Sequence, residues 1–294
     1  MSASPLHRLT ERVYYLQADS RTDRPLLGVV VGDHGSLLVD AGNSGAHARL
    51  LASSLAEVGV AEPRYLLLTH WHWDHVFGAA FFDVPTIAHI ETTRVLREMA
   101  QLDWRDDALD QRVAEGREIA FCRDMMKLEL SEAERTALHL RVPDLAFAEC
   151  IEVELGGVRC RIEHVGGDHA SDASVVYVPE ERVLFVGDCL YPAIYASPAY
   201  FSRARLLPLL ERVLAYDADW YLYGHHPEPV TRHEFEQETE LMRTISDLVT
   251  SLGANRVAVD EALQQLLGGL LNEDQLELVE LFVAGMEAGD QLRG

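Results

Sequence analysis

The segment Thr69–His75, THWHWDH, places three histidines and one aspartate directly after the apolar run YLLL. Neutral imidazole and carboxylate groups are ligands that zinc and similar divalent ions prefer, and a catalytic site leaves one position open for water. Because side chains alternate along a strand, His70 and His72 can point to the same side. Asp74 and His75 follow in the expected loop and can face a neighbouring point. The segment therefore predicts ligands for two adjacent metal positions.

Three more candidate ligands follow at the ends of apolar segments. His169 lies in the loop HVGGDHASD, Asp188 ends RVLFVGD, and His225 ends WYLYGH, with His226 as an alternative to His225. Strand ends are where α/β folds place their binding sites. An isolated HxH pair occurs by accident, whereas HxHxDH followed by these residues in matching contexts predicts one shared metal site.

Composition and charge narrow the classes of partner. The 294 residues carry 48 acidic and 25 basic side chains, for a formal charge of -23. A strongly negative surface repels phosphate backbones and anionic lipid, so nucleic acid and membrane surfaces are disfavoured. The four cysteines are dispersed, and the N-terminal segment has no apolar leader. These features predict a cytoplasmic location.

The elements that must position these residues are short strands alternating with helices. Residues 32–35, GDHG, separate two apolar runs as a hairpin turn would, and Gly59 ends an amphipathic helix. The continuous apolar strand PRYLLL then implies cover on both faces. A second half repeats the pattern, with a hairpin at GG (156–157), another near residues 179–181, and a helix in SRARLLPLLERVLAYD. We therefore predict an α/β fold with two facing sheets, a four-layer αββα sandwich.

Two helical regions extend this fold. The first is an insertion at about residues 91–140, in which Ser131–Glu134 matches a capping box. The second is residues 233–294, where leucines mark one helix face and Gly253 ends the helix. We predict a domain of residues 1–232 and a helical C-terminal extension of residues 233–294. The insertion could lie over the cleft or form a homodimer contact, and the sequence leaves both open.

These motifs together resemble the metallo-β-lactamase superfamily. The hallmark HxHxDH of that family matches His70, His72, Asp74 and His75. Its later ligands match His169 in GGDHASD, Asp188 in LFVGD and His225 in YGHHP, and its early DTG turn is similar to VDAG at residues 39–42. The match with His169 departs from the usual spacing, since His164 precedes it by five residues.

The resemblance implies a dinuclear metal-dependent hydrolase. One ion would take His70, His72 and His169, and the other Asp74, His75 and His225, with Asp188 bridging both. Zinc is the expected metal, with iron or manganese as alternatives, and a hydroxide held between the ions would attack a carbonyl group. Asp40 is similar to a carboxylate that orients a ligand imidazole. Asp74 is similar to a residue that also moves a proton.

The resemblance also suggests a substrate class. Tyr191 stands three residues after Asp188, similar to a tyrosine of acyl-homoserine-lactone lactonases that contacts a substrate oxygen. We therefore expect a lactonase-like hydrolase of lactones, esters or thioesters, with Asp74 and Tyr191 as catalytic residues. Two alternatives remain: a β-lactam hydrolase, and a mononuclear iron redox enzyme of the same fold that is similar to persulfide dioxygenases.

Overall fold

The first sheet contains seven strands, and its second half is parallel. The computed structural model describes residues 5–60 and 62–291, with side chains described through residue 289. The strands lie in chain order across the sheet: β1 (Leu6–Arg8), β2 (Val13–Leu16), β3 (Leu27–Gly32), β4 (Gly35–Val39), β5 (Pro63–Leu68), β6 (Thr86–His89) and β7 (Leu145–Phe147). Neighbours from β1 to β4 are antiparallel and those from β4 to β7 are parallel.

The second sheet contains six strands. They are β8 (Cys150–Glu154), β9 (Arg159–His164), β10 (Ser174–Val178), β11 (Val183–Gly187), β12 (Trp220–Tyr223) and β13 (Val230–Thr231), in the order β13-β12-β11-β10-β9-β8. Only the pair β11 and β12 is parallel among these described strands. Every residue of β4 and β11 is buried, because each of these strands is covered on both faces.

Helices cover the outer side of each sheet. They are α1 (Gly45–Val58), α2 (Trp73–Val76), α3 (Ile90–Met99), α4 (Asp106–Ala114), α5 (Ala120–Glu129), α6 (Glu132–Thr136), α7 (Arg203–Leu214), α8 (Arg232–Leu252), α9 (Arg256–Leu267) and α10 (Glu273–Gln291). A short 3-10 turn spans Ala79–Phe81. Among the described residues, no helix is long and apolar enough to cross a lipid bilayer.

Three apolar clusters separate the four layers. The cluster between the sheets includes Val30 and Leu37 from the first sheet and Val176 and Phe185 from the second. At Gly28 of β3, an added Cβ would lie 2.2 Å from Phe185 Cε1, so the sheets meet closely only because this position has no side chain. The predicted αββα sandwich is confirmed.

The other two clusters fix the helical regions. Leu109 of α4 and Met126 of α5 pack in the cluster that covers the outer face of the first sheet. Ile245 of α8, Val259 of α9 and Phe282 of α10 pack in the cluster outside the second sheet. The helical insertion and the helical C-terminal extension are therefore each fastened to one side of the sandwich. The division of the chain at residue 232 stays a prediction.

Local signals also have the predicted effect. Gly59 takes the left-handed conformation (φ 66°) that ends α1, and Gly253 follows α8. At α6, Ser131 and Glu134 form both hydrogen bonds of the capping box. All four cysteines are free, so none of them forms a disulfide.

Candidate metal centre

The seven predicted ligands converge at one edge of the sandwich. His70, His72 and His169 form one group, and Asp74, His75, Asp188 and His225 form a second. Within each group the potential ligand atoms all lie within 4.8 Å of one another. Four separate loops supply them, after β5, β9, β11 and β12. Residues up to 155 positions apart in sequence (70 to 225) therefore meet because the sheets bring their strand ends to the same edge.

The HxHxDH segment differs in detail from the expectation. Strand β5 ends at Leu68, so His70 and His72 lie beyond it rather than on alternating strand positions. Asp74 and His75 lie on the short helix α2 instead of in a loop. The turn of this helix places both side chains in the second group of ligands. The expected separation of the segment into two sets of ligands remains, although its backbone geometry was predicted wrongly.

Asp188 occupies the centre of the cluster. Its Oδ2 atom lies 3.3 Å from the Nε2 atoms of His75, His169 and His225 and 3.9 Å from that of His70. It thus faces ligands of both groups. Space for it depends on Gly224, where an added Cβ would lie 2.0 Å from Asp188 Oδ1.

The buried polar atoms of the cluster fit metal ions. Within the described part of the chain, six ligand atoms have no hydrogen-bond partner: His70 Nε2, His72 Nε2, Asp74 Oδ2, His75 Nε2, His169 Nε2 and Asp188 Oδ1. Orphaned buried donors and acceptors cost about 1–3 kcal/mol each, so a fold rarely gathers several of them without a ligand. Imidazole nitrogens and carboxylate oxygens in this mixture suit zinc, manganese or iron.

The electrostatics of the two groups differ. Burial lowers the pKa values of His70 and His72 well below the usual range, which keeps these imidazoles neutral. Burial also acts to lower the pKa of His75, but the carboxylates of Asp74, Asp188 and Asp40 raise it well above its usual value. Neutral imidazole is the form that binds metal. In the metal-free chain the carboxylates of the second group therefore favour protonated imidazoles at His75 and His225, and a bound metal ion would replace these protons.

Residues behind the ligands hold the imidazoles in place. His75 Nδ1 donates to Asp40 Oδ2 over 2.8 Å, as predicted for Asp40. The Thr69 hydroxyl donates to the same Asp40 oxygen at 2.9 Å and lies 3.1 Å from His70 Nδ1. Because the hydroxyl hydrogen is used for Asp40, its oxygen is free to accept from His70. In His75 and in His70, these contacts of Nδ1 leave Nε2 directed at the metal position.

Two further contacts were not predicted. His169 Nδ1 donates to the Pro192 carbonyl oxygen at 3.2 Å, and His225 Nδ1 lies 3.4 Å from Asp23 Oδ1. Asp23 stands in the loop between β2 and β3 in a left-handed conformation (φ 58°). Nothing in the local sequence SRTDRP marks this aspartate, because its role depends on a loop more than 200 positions away in the chain.

The rival residues lie outside the cluster. His164 Nε2 donates to the Ser171 carbonyl oxygen at 2.8 Å, and its ring stacks on His89. His226 Nδ1 donates to the Glu228 carbonyl oxygen at 2.6 Å. Cys189 is buried and belongs to the apolar cluster outside the second sheet. The geometry therefore favours His169 over His164 and His225 over His226.

A cleft of ≈ 210 Å³ opens onto the cluster. Its walls include Asp23, Tyr191 and Ile194, together with Phe121 and Cys122 from α5 of the insertion. The rings of Tyr191 and His169 lie 5.9 Å apart, and burial raises the pKa of the Tyr191 phenol, so this group stays protonated. The insertion thus lies beside the cleft. Of its two predicted roles, a position over the cleft and a homodimer contact, the first requires this placement.

The insertion also has a polar contact at the cleft that was missed. Tyr195, in the loop after β11, donates from its hydroxyl to Glu118 Oε1 at 3.0 Å, and its ring lies 5.4 Å from that of His72. Trp71, between the first two histidines of the HxHxDH segment, contacts the same two rings. An aromatic wall therefore supports His72 from outside.

The protein is an αββα sandwich with a candidate metal centre. Its two mixed sheets face each other, helices cover both outer sides, and a His/Asp cluster lies at the strand ends. The sequence profile of the metallo-beta-lactamase superfamily matches residues 25–225. The chain belongs to this superfamily, which confirms the resemblance drawn from its motifs.

Individual relatives are distant. The chain is similar to the 2,4-dinitroanisole O-demethylase subunit alpha of Nocardioides sp. (strain JS1661), with 29% identity over 117 residues that cover 38% of this chain and 34% of the relative. It is 21% identical to a metallo-beta-lactamase type 2 of Bacteroides fragilis over 162 residues, 55% of this chain and 50% of the relative. The chain thus matches about a third of the length of the first protein and about half of the length of the second.

A solved structure shows the same fold over nearly the whole chain. A metallo-beta-lactamase family protein from Thermus thermophilus superposes with a TM-score of 0.59 and 21% identity, covering 97% of this chain and 95% of that one. At this identity the likeness shows the architecture and does not define a substrate.

Proposed function

We propose that this protein is a metal-dependent hydrolase of an ester-like bond in a small molecule, a lactone, ester or thioester. The observation that carries the proposal is the set of six buried ligand atoms without a hydrogen-bond partner, four of which belong to residues that line an open cleft. Most members of the superfamily are metal-dependent hydrolases, which supports the same class of reaction.

The ligands divide naturally between two divalent ions, with zinc as the expected metal. His70, His72 and His169 would hold one ion, and Asp74, His75 and His225 the other. Asp188 would touch both, since its Oδ2 faces histidines of both groups. When bound, the ions would polarise the substrate carbonyl and supply hydroxide from water near neutral pH.

The side chains around the cleft would position the substrate and move its protons. Asp74 faces the cleft and lies 3.0 Å from His225 through Oδ2, and its carboxylate would hold a proton on its way to the leaving group. Tyr191, kept protonated by burial, would donate a hydrogen bond to a substrate oxygen. Phe121, Pro192 and Ile194 would exclude water from the reacting bond.

The cleft favours substrates without negative charge. Among the described residues that line it, none is a lysine or arginine, and Asp23 adds a carboxylate that is not one of the proposed ligands. A β-lactam carries a carboxylate that normally requires a cation on the enzyme. Neutral lactones, esters and thioesters are therefore ahead of β-lactams as substrates.

Metal analysis and a substrate panel test the proposal. Protein purified without added metal is assayed for bound metals and for hydrolysis of lactones, esters, thioesters, a chromogenic cephalosporin and 2,4-dinitroanisole. We expect about two divalent ions per chain and faster cleavage of an ester-like substrate than of the cephalosporin. One iron per chain with oxygen uptake and no hydrolysis would overturn the proposal.

Two histidines five positions apart, one at the end of β9 and one in the loop after it, give the matched control. His169→Gln removes a proposed ligand, and we expect it to lower the bound metal and to reduce hydrolysis at least about 100-fold. His164→Gln changes a histidine five positions earlier that bonds the Ser171 carbonyl oxygen instead. It should keep both metal content and rate. Equal effects of the two variants would remove the assignment of His169.

A further inference from the structure

A second cavity of ≈ 520 Å³ adjoins the metal cleft. The two share Tyr191 and Pro192 as lining residues, so they lie next to each other at this segment. Most of the second cavity is built by the C-terminal extension, including Leu241 and Met242 of α8 and Leu278 of α10. A cavity of this size next to a reacting centre can hold the part of a substrate remote from the scissile bond.

The walls combine apolar and aromatic side chains. Phe201, Tyr191 and Tyr223 line the cavity, and the rings of the two tyrosines lie 6.2 Å apart. The half-buried thioether of Met242 can adapt to ligands of different shape. Aromatic faces attract cations as well as apolar groups. The lining is therefore suited to an apolar group that carries positive charge.

Glu238 supplies the matching negative charge. It lines the cavity, is half-buried, and accepts a hydrogen bond from the Tyr223 hydroxyl at 2.9 Å. Asp274 and Glu277 of α10 add two carboxylates at the rim, and none of the described lining residues is a lysine or arginine. No basic side chain of the described residues forms an ion pair with Glu238, so its carboxylate is available to a ligand.

We propose that this cavity binds an apolar organic ammonium group and that it selects cationic over anionic substrates for the neighbouring metal centre. The first half of the inference concerns binding and stands on the cavity itself, whereas the second half rests on the proposed hydrolytic function. An anionic group would meet three carboxylates and no described lysine or arginine there, with His226 as the one imidazole among the described lining residues, so it would bind weakly.

Binding is tested first, with a probe that cannot ligate a metal. Calorimetry on the metal-loaded protein compares 4-phenylbutyl-trimethylammonium with 4-phenylbutanol, which has a similar apolar body and no charge. We expect the ammonium compound to bind about 10-fold more tightly than the alcohol. Equal affinity, or no binding of the ammonium compound, would overturn the proposal.

Variants locate the bound probe. Glu238→Gln keeps an acceptor for Tyr223 but removes the charge, and it should weaken ammonium binding about 5- to 10-fold while leaving the alcohol unchanged. Glu240→Gln, an exposed glutamate on the same helix that does not line the cavity, should change neither. Leu278→Trp should fill the cavity and abolish binding of both compounds with metal content intact. Unchanged ammonium binding in Glu238→Gln would overturn the assignment.

Matched esters then separate this inference from the proposed function. Butyrylcholine and 3,3-dimethylbutyl butyrate differ in charge but have nearly the same shape. We expect kcat/KM to favour the cationic ester about 10-fold and the preference to fall to about 2-fold or less in Glu238→Gln. If the ammonium probe binds but neither ester nor any other panel substrate is hydrolysed, the cavity is supported and the hydrolase proposal fails. If esters are hydrolysed without charge preference, the hydrolase proposal is supported and the inferred selection of cationic substrates fails.

Discussion

The two ligand groups share Asp188 but differ in what lies behind their imidazoles. In the group with Asp74, the Nδ1 atoms of His75 and His225 face the carboxylates of Asp40 and Asp23. In the other group, the corresponding neighbours are uncharged, the Thr69 hydroxyl at His70 and a backbone carbonyl at His169. One half of the site is thus backed by charge and the other by dipoles.

The ligand carboxylates contribute most to the opposite electrostatics of the two halves, since at His75 Asp74 and Asp188 act more strongly than Asp40. Burial dominates at His70 and His72, so their pKa values fall, whereas carboxylates override burial at His75 and raise its pKa. A carboxylate behind an imidazole raises its basicity and strengthens its bond to a metal. The carboxylate-backed group should therefore bind its ion more tightly, and the neutral group should lose its ion first when metal is scarce.

Asp40 connects the two halves. It accepts directly from His75 and, through the Thr69 hydroxyl, it also supports His70. It holds this place in a left-handed backbone conformation (φ 64°), directly after β4. The comparison can be tested by changing the shared ligand Asp188, then the supports Asp40 and Thr69, and finally Asp23, which makes the longest contact.

The largest effect is expected for Asp188→Asn, which alters the shared ligand. Removing its charge leaves the imidazoles of both groups without the carboxylate that faces them, so both ions should bind more weakly. We expect hydrolysis to fall at least about 1000-fold, with metal measured by elemental analysis and rate on the best panel substrate.

A buried aspartate close in sequence gives the control for this change. Asp172 accepts from the Thr92 hydroxyl at 2.7 Å and is not in either ligand group. Asp172→Asn keeps an acceptor for that hydroxyl and should retain both ions. Full occupancy and full rate in Asp188→Asn would show that neither half depends on the shared carboxylate.

The ligand positions could be predicted because their residue types carry the chemistry. Histidines and aspartates after apolar strands are recognisable one strand at a time, and parallel strands bring such ends to one edge. Adjacent rivals could not be separated in this way. His164 ends β9 and His169 lies in the loop that follows, and only the bond of His164 to Ser171 shows which of the two faces away from the cluster.

The support from Asp23 and the second cavity could not be predicted, for a different reason. Asp23 and Glu238 have ordinary sequence surroundings, and their roles arise from contacts with loops or helices far away in the chain. Amphipathic leucines identified α8 and α10 as helices but did not show which of their polar residues line a cavity. Such features depend on how elements pack, which a local pattern does not record.

An intermediate effect is expected for Asp40→Asn, compared with Thr69→Val. Asparagine tolerates the left-handed conformation at this position, so the change mainly removes charge. Metal affinity should fall about 10- to 100-fold in Asp40→Asn. Thr69→Val removes only the relayed support of His70, because the Thr69 backbone N–H still donates to Asp40 Oδ1. Its loss should be smaller, on the order of a few-fold.

Competition with a chromophoric chelator measures both affinities in one format. A circular dichroism spectrum and a melting curve for each variant show whether the fold is retained. Equal losses in the two variants would mean that direct and relayed supports are equivalent, and a larger loss in Thr69→Val would reverse the comparison.

The smallest loss of metal affinity is expected for Asp23→Asn. The same change should raise the stability of the metal-free protein. The contact with His225 is long (3.4 Å), so metal affinity should fall no more than about 10-fold. Burial, followed by the nearby charge of Asp74, raises the pKa of Asp23 to about 6. Between about pH 4 and 6 the folded metal-free chain therefore binds more protons at this group than the unfolded chain, and stability falls as pH rises through this window.

This linkage gives the sign of the stability change. At pH 7 the ionised Asp23 should cost the metal-free protein about 1–3 kcal/mol, which Asp23→Asn would recover, whereas at pH 4 the gain should nearly vanish. Urea unfolding of chelated protein at both pH values measures the difference. A metal ion at His225 would offset the same negative charge, so the gain should also shrink in loaded protein. A gain that is equal at both pH values and in both metal states would show that Asp23 contributes through packing rather than charge.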